Sequence, residues 1–254
     1  EAAYGIMASW DIGHMISYYS HRIPIANPFQ QGLGKVNKAG EIEQVGETLF
    51  FTENDEVKAT QMLDELKARY IITDYSGAAG YGSFFGKTLW AFDGGGDYYI
   101  GEDGDDGDKV TTRRYDKSMI VRLHFFDGRE WFKKDDDGKD IKESYVKHLD
   151  HFRLVYESKN GVALSLFDNE KNSDKNKVRS IKIFEYVKGA KIIGFAPHGL
   201  PVEISTTIKT NQGREFVYKK TTTAQNNNKF EFIVPYSTYG KDGWIENETK
   251  FEVF

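Results

Sequence analysis

The spacing of apolar residues changes period several times along the chain, and each change predicts a different element. Between Asp55 and Arg69 the apolar positions Ala59, Met62, Leu63, Leu66 and Tyr70 recur at helical spacing, with Thr52 or Asn54 available as N-cap. Tyr70-Ile71-Ile72-Thr73-Asp74 then predicts a short buried strand ending in a carboxylate. Upstream, Ala8 to Ser20 places Trp10, Met15, Ile16 and Tyr19 on a helix-compatible stretch. Gly13 is a poor interior residue, so that helix is expected to begin near it. The next segment, His21 to Pro28, reads as extended, because Pro24 and Pro28 push their predecessors out of helical geometry. Met119 to Phe126 is apolar throughout, and its pattern leaves helix and strand open. A short helix through Tyr145, Val146 and Leu149 is expected, followed by a strand over Phe152–Glu157.

Beyond about residue 160 the segments become strand-sized: Ala163–Phe167, Ile181–Val187, Lys191–Ala196, Val202–Lys209, Glu215–Lys220, Phe230–Val234 and Lys250–Phe254. Val202, Ile204, Thr206 and Ile208 alternate with period two, as do Phe230, Phe232 and Val234. The fold class read from this is α+β. A mostly helical or mixed central core over residues 1–158 is followed by a β-rich, barrel- or sandwich-like peripheral domain over residues 159–254.

The net charge of −5, with no clustered Lys and Arg, argues against a nucleic-acid surface. With no cysteine in the chain, disulfides and thiolate metal sites are excluded. No apolar run reaches the length of a membrane-spanning helix. Glu1-Ala2-Ala3 has neither an initiator Met nor a signal-peptide pattern, so the chain is expected to be a fragment starting at a domain boundary.

Four patterns bear on chemistry. Ser9-Trp10-Asp11-Ile12-Gly13 sets an indole beside a carboxylate and a glycine. Such a pair can form a small pocket that accepts the proton of a hydroxyl ligand; equally, Trp10 is a core aromatic and Asp11 a helix N-cap. The Asp/Gly stretches Asp93–Asp97 and Glu102–Asp108 match no calcium-binding loop and read as solvated acid. His148 and His151 share a helical spacing but lack a third ligand. Asn247-Glu248-Thr249 is an Asn-X-Thr triplet, which carries little weight alone.

Taken in order, several segments resemble the catalytic subunit of archaeal oligosaccharyltransferases, specifically the C-terminal globular domain of its short-type paralogues. Ser9-Trp10-Asp11-Ile12-Gly13 resembles the family's Trp-Trp-Asp-Tyr-Gly motif, with Ser9 and Ile12 departing from it. Arg22 through Ala26-Asn27 resembles its Arg-X-X-X-Ala-Asn stretch, and Ser118-Met119-Ile120-Val121-Arg122-Leu123 an archaeal Ser-Met-X-X-Arg-Leu segment. The likeness covers most of residues 4–190. It implies asparagine-linked glycosylation of Asn-X-Ser/Thr sequons by a membrane enzyme whose globular domain faces the extracytoplasmic side. Ser9, Trp10, Asp11, Ile12 and Gly13 would line the pocket for the sequon Ser/Thr. Asp116, Met119 and Leu123 would supply the contact from a second, kinked-helix element, whose family pattern is Asp-X-X-Lys or Met-X-X-Ile. The resemblance puts Mg²⁺ or Mn²⁺, the catalytic carboxylates and the lipid-linked oligosaccharide in a transmembrane part outside this chain, which alone is expected to hold no catalytic residue, bind no metal and be inactive. The acceptor peptide is the implied partner. The competing reading is a non-enzymatic extracellular carbohydrate-binding or cell-surface structural domain, favoured by aromatic richness and acidic loops.

Overall fold

The computed structural model describes residues 4–39, 41–79, 100–102, 109–111, 113–135, 137–163, 177–236 and 252–253. The acidic stretches Asp93–Asp97 and Asp103–Asp108 and the Asn247 triplet lie outside them. The strands are β1 (Gly5–Met7), β2 (Ile23–Pro24), β3 (Lys35–Val36), β4 (Ile42–Gln44), β5 (Ala68–Asp74), β6 (Ile100–Glu102), β7 (Lys109–Thr111) and β8 (Phe152–Glu157). They continue with β9 (Gly161–Ala163), β10 (Lys177–Arg179), β11 (Ile181–Tyr186), β12 (Ala190–Phe195), β13 (Pro201–Lys209), β14 (Glu215–Thr223), β15 (Lys229–Val234) and β16 (Glu252–Val253). Helices are α1 (Gly13–Met15), α2 (Glu47–Thr52), α3 (Glu56–Glu65), α4 (Tyr75–Ala78), α5 (Arg113–Lys117) and α6 (Met119–His124).

A central sheet of order β2-β1-β5-β11-β8 organises the first part. β1 runs parallel to β2 and to β5, whereas β11 is antiparallel to both β5 and β8. The sheet has two distinct faces because side chains alternate along each strand. Met7 of β1 and Ile71 of β5 enter the main core together with Met119, Ile120 and Leu123 of α6. Thr73 is on that same face, its hydroxyl 3.0 Å from Nδ1 of His124. Ile6, Ala8, Tyr70 and Ile72 point the other way, forming a smaller cluster with Ile12 and Ile16.

The second part is β-rich. Among the described residues it comprises small antiparallel sheets, β12-β15 and β14-β13-β16, rather than a closed barrel. Period-two alternation is visible along β13, where Val202, Ile204, Thr206 and Ile208 are buried. Their apolar side chains, with Phe216, Tyr218, Phe230 and Phe232, belong to the same core cluster as Phe152, Leu154 and Phe184 of the central sheet.

Several local expectations change. The helix expected over 55–69 ends at Glu65, and its cap is Asp55, whose Oδ1 accepts from the amides of Val57 at 2.8 Å and Lys58 at 3.3 Å. Lys67, with φ of 50°, turns the chain into β5, which holds the strand expected at Tyr70–Asp74 and begins two residues earlier, at Ala68. Residues 145–149 form no helix, because Val146 pairs with Trp131 in an isolated bridge and the Leu149 amide donates to the Gly128 carbonyl at 2.7 Å. Met119–His124, open by pattern, is helical. The strand expected at Ile181–Val187 returns to the first sheet as β11, between β5 and the edge strand β8.

Candidate functional site

β1 and β5 are adjacent and parallel, so their carboxyl ends open onto the same edge of the sheet. Crevices outside such ends are where α/β sheets place their ligands. Met7 is the last residue of β1 and Trp10–Ile12 follows as a single 3-10 turn, with the Ile12 amide donating to the Ser9 carbonyl at 3.2 Å. The backbone continues through α1 into five residues of π-helix, Ile16–Ser20, and leaves through His21 at φ 52°. Trp10 is half-buried, Asp11 is exposed, and neither belongs to an apolar core cluster. Asp11 lies inside the turn whose N-cap is Ser9, so it does not cap the helix itself.

The turn is anchored at both of its flanks. Ile12 packs on the small cluster of Ile6, Ala8 and Ile16. Gly13 is buried against the loop 26–27: a Cβ there would lie 2.3 Å from the Ala26 carbonyl oxygen and 2.8 Å from Cα of Asn27. No side chain fits at those distances. The loop is fixed in turn by Asn27, whose amide donates to the Gln31 carbonyl at 3.2 Å and whose Oδ1 accepts from the Phe29 amide at 2.9 Å. The contact of Gly13 with Ala26 gives a physical reason why the two sequence segments 9–13 and 22–27 occur together.

At the end of β5, Asp74 accepts from the Ser76 hydroxyl at 2.6 Å and the Gly77 amide at 2.8 Å, capping α4. The Tyr115 hydroxyl donates to the Ala78 carbonyl, tying α4 to α5. A break at Ser118, extended at φ −64° and ψ 147°, separates α5 from α6 and makes a kink. Asp116, before the kink, is half-buried; burial raises its carboxyl above the usual range, with Lys133 and Lys117 opposing. Met119 and Leu123 are fully buried in the main core.

The five residues Ser9–Gly13 therefore form one continuous turn. Met119 and Leu123 pack on the opposite face of the sheet from Ile12, so the structure does not bring these sets into one cavity floor. Among the described residues no group of three or more His, Asp or Glu could hold a metal ion.

One buried network was not apparent from sequence. The Asp127 carboxylate receives Lys182 Nζ at 2.6 Å and the Arg214 guanidinium at 2.7 and 2.8 Å. Arg214 also binds Glu157 at 2.6 Å, and Thr210 donates to Glu157 at 2.7 Å. Burial pushes the Asp127 carboxyl up, but Lys182 and Arg214 outweigh it and hold it below the ordinary range. Burial, then the Lys182 charge, pushes His124 down to about 3. The one sequence signal was Lys182 at an inward position of its strand, flanking buried Phe184.

Together the turn at the parallel edge, the two helices separated at Ser118 and the appended antiparallel strands define an α+β domain. A family model described as the AglB core domain matches residues 1–78, and one described as the archaeal glycosylation protein B long peripheral domain matches residues 189–254. The chain is 27% identical over 290 residues to dolichyl-phosphooligosaccharide-protein glycotransferase 3 of Archaeoglobus fulgidus, covering 92% of this chain and 33% of that protein. It is 24% identical over 324 residues to the dolichyl-monophosphooligosaccharide–protein glycotransferase AglB of Haloferax volcanii, covering 95% of this chain and 30% of that one. Its fold is similar to the crystal structure of the Archaeoglobus fulgidus oligosaccharyltransferase in complex with Zn and sulfate. There the TM-score is 0.75 at 22% identity, covering all of this chain and 38% of that one. A structure of that enzyme tethered through a disulfide bond to an acceptor peptide containing the NVT sequon gives a TM-score of 0.72, also at 22% identity and over 36% of its length.

The core and peripheral models, over residues 1–78 and 189–254, and both relatives identify the chain as an AglB-type archaeal oligosaccharyltransferase domain. It spans about a third of the length of the curated relatives it matches. The peripheral model is described as the long one, whereas the sequence resemblance named the short-type paralogues. No helix among the described residues is long and apolar enough to cross a membrane.

Proposed function

We propose that this chain supplies acceptor recognition to an asparagine-linked oligosaccharyltransferase, and that the turn Ser9–Gly13 holds the Ser/Thr of the Asn-X-Ser/Thr sequon. The observation that carries the reading is an exposed carboxylate, Asp11, beside a half-buried indole, Trp10, at the carboxyl edge of two parallel strands. The carboxylate accepts the hydroxyl proton of the sequon residue while the indole forms a wall. Gly13, seated on Ala26, keeps the turn from shifting. A similar structure tethered to an NVT peptide supports this use of the fold.

In the same reading, half-buried Asp116 is the member of the kinked-helix set nearest solvent, and buried Met119 and Leu123 shape that element from beneath. Metal (Mg²⁺ or Mn²⁺), lipid-linked oligosaccharide and bond-making groups belong to a membrane-embedded part of the parent protein. That arrangement sets this domain on the extracytoplasmic side and leaves it inactive alone. In this reading residues 1–158 are the core that carries the recognition turn and residues 159–254 the peripheral part, from which β11 threads back into the first sheet.

The test is Asp11→Ala in the full-length enzyme. Losing a hydrogen bond to a charged group should lower transfer to an Asn-Val-Thr peptide by about one to two orders of magnitude. The thermal unfolding of the domain should stay unchanged, because Asp11 is exposed. Turnover at the wild-type rate removes Asp11 from recognition.

A further inference from the structure

Between the motif turn and the first hairpin the chain presents an outward face that nothing in the described structure covers. Met15, Tyr18, Tyr19, Ile23 and Phe29 are each between 57% and 78% exposed. The Tyr18 and Tyr19 rings meet edge-on at 4.9 Å, and Phe29 meets the His14 ring at 5.1 Å. His14, Ser17, Tyr18, Tyr19 and His21 line an open depression of about 720 Å³ on this face. A surface helix ordinarily turns its apolar side inward and a polar side outward. Here Ile12 and Ile16 already occupy the inward side, so the outward aromatics are surplus to the fold.

Charge narrows the choice of occupant. Residues 12–40 contain no Asp or Glu, whereas the whole chain has 39 among 254 residues. The same stretch carries Arg22, Lys35 and Lys38 with His14 and His21. Arg22 stacks over Tyr4 at 4.8 Å, and acids flank the stretch at both ends: Asp11 before it, and after it Glu41, held by Asn37 at 3.0 Å, and Glu43, paired with Lys35 at 3.2 Å. A protein partner has no general reason to exclude carboxylates from so long a run. A negatively charged bilayer does, since each unit charge near such a surface is worth about 1 kcal/mol. Tyrosine and phenylalanine beside cations are also the side chains that settle at the level of lipid headgroups.

We propose that the face formed by Met15, Tyr18, Tyr19, Ile23 and Phe29, rimmed by His14, His21 and Arg22, docks on an anionic lipid surface. It deepens the membrane placement of the parent protein given above but does not rest on sequon recognition by Asp11. Docking here would hold the Trp10–Asp11 turn at the height of the headgroups.

The experiment is co-sedimentation of this chain with phosphatidylglycerol vesicles and with phosphatidylcholine vesicles, at low and high salt. The wild-type chain should partition onto the anionic vesicles, less so as salt screens the charges. A Tyr18→Ser, Tyr19→Ser, Phe29→Ser variant should lose about tenfold in partitioning while keeping its circular dichroism, since all three side chains are exposed. Arg22→Gln should lose about fivefold on anionic vesicles and nothing on neutral ones. No binding to anionic vesicles, equal binding by the triple variant, or concentration-dependent dimers abolished by that variant without vesicle binding would each overturn the proposal. Sequon recognition fails separately, through Asp11→Ala, which leaves this face intact.

Discussion

Gly13 has no room for a side chain, and that constraint is local and sharp. A Cβ would press on backbone atoms of Ala26 and Asn27, which cannot rotate away as a side-chain tip could. Gly13→Ala should therefore destabilise the domain by about 1–3 kcal/mol, read as a lower urea midpoint with an unchanged slope. An unchanged midpoint would mean that the loop yields freely and that the turn is not pinned there. Asp11→Asn at the neighbouring exposed position should stay within about 0.5 kcal/mol of wild type. The two variants separate the residue that builds the turn from the one proposed to use it. The pairing of Trp10 with Asp11 was legible in the sequence as a possible hydroxyl pocket. The role of Gly13 was not, because its reason lies across the fold at Ala26.

Among the elements, those that declare themselves by a long regular pattern were read correctly, and those set by tertiary contacts were not. The alternation in β13 and β15 reports burial on one face, and the structure has both as strands. The expected helix at Tyr145–Leu149 lost to the bridge between Val146 and Trp131, a partner no local pattern can reveal. Ile181–Val187 reads as one strand of a separate β-unit, yet its Phe184 fills the main core beside Phe152 and Leu154. The Ser118 break leaves α6 to bury Met119, Ile120 and Leu123 on the far face of the central sheet from Ile12. Met119→Ala should cost about 2–5 kcal/mol as a core truncation. Met119→Leu should cost less than about 1.5 kcal/mol and is the cleaner way to ask whether α6 influences the choice between Thr and Ser. An equal Thr:Ser transfer ratio in Met119→Leu and wild type would leave Met119 as packing alone.

At the scale of the molecule, a buried ion network fastens the β-rich part to the central sheet. Asp127 follows α6, Lys182 belongs to β11, Glu157 to β8, and Arg214 to the turn before β14. Arg214→Met removes the cation shared by two buried carboxylates, leaving Asp127 with Lys182 at 2.6 Å and Glu157 with Arg179 at 3.5 Å, and should cost about 3–5 kcal/mol, seen as a lower denaturation midpoint; a neutral result would show that Lys182 and Arg179 suffice. The same region sets the acid response. His124 ordinarily titrates at 6.5 but is held near 3 when folded, so the unfolded chain binds the proton more readily. Its contribution is complete above about pH 6.5 and falls by about 1.4 kcal/mol per unit as pH drops toward 3. Asp127, depressed when folded, adds a further loss below about pH 4. Denaturation midpoints at pH 7, 5.5 and 4.5 should decline in wild type and decline less in His124→Gln; parallel curves would contradict the buried neutral imidazole. The central claim nevertheless concerns the Trp10–Asp11 turn, and one ratio tests it most directly. In the full-length enzyme, transfer to an Asn-Val-Thr peptide is compared with transfer to the same peptide carrying 2-aminobutyrate, which keeps the methyl and lacks the hydroxyl, in place of Thr. A hydroxyl-binding site should favour Thr by about 10⁴, and Asp11→Ala should collapse that preference by at least about tenfold. A preference that survives Asp11→Ala undiminished would contradict the account.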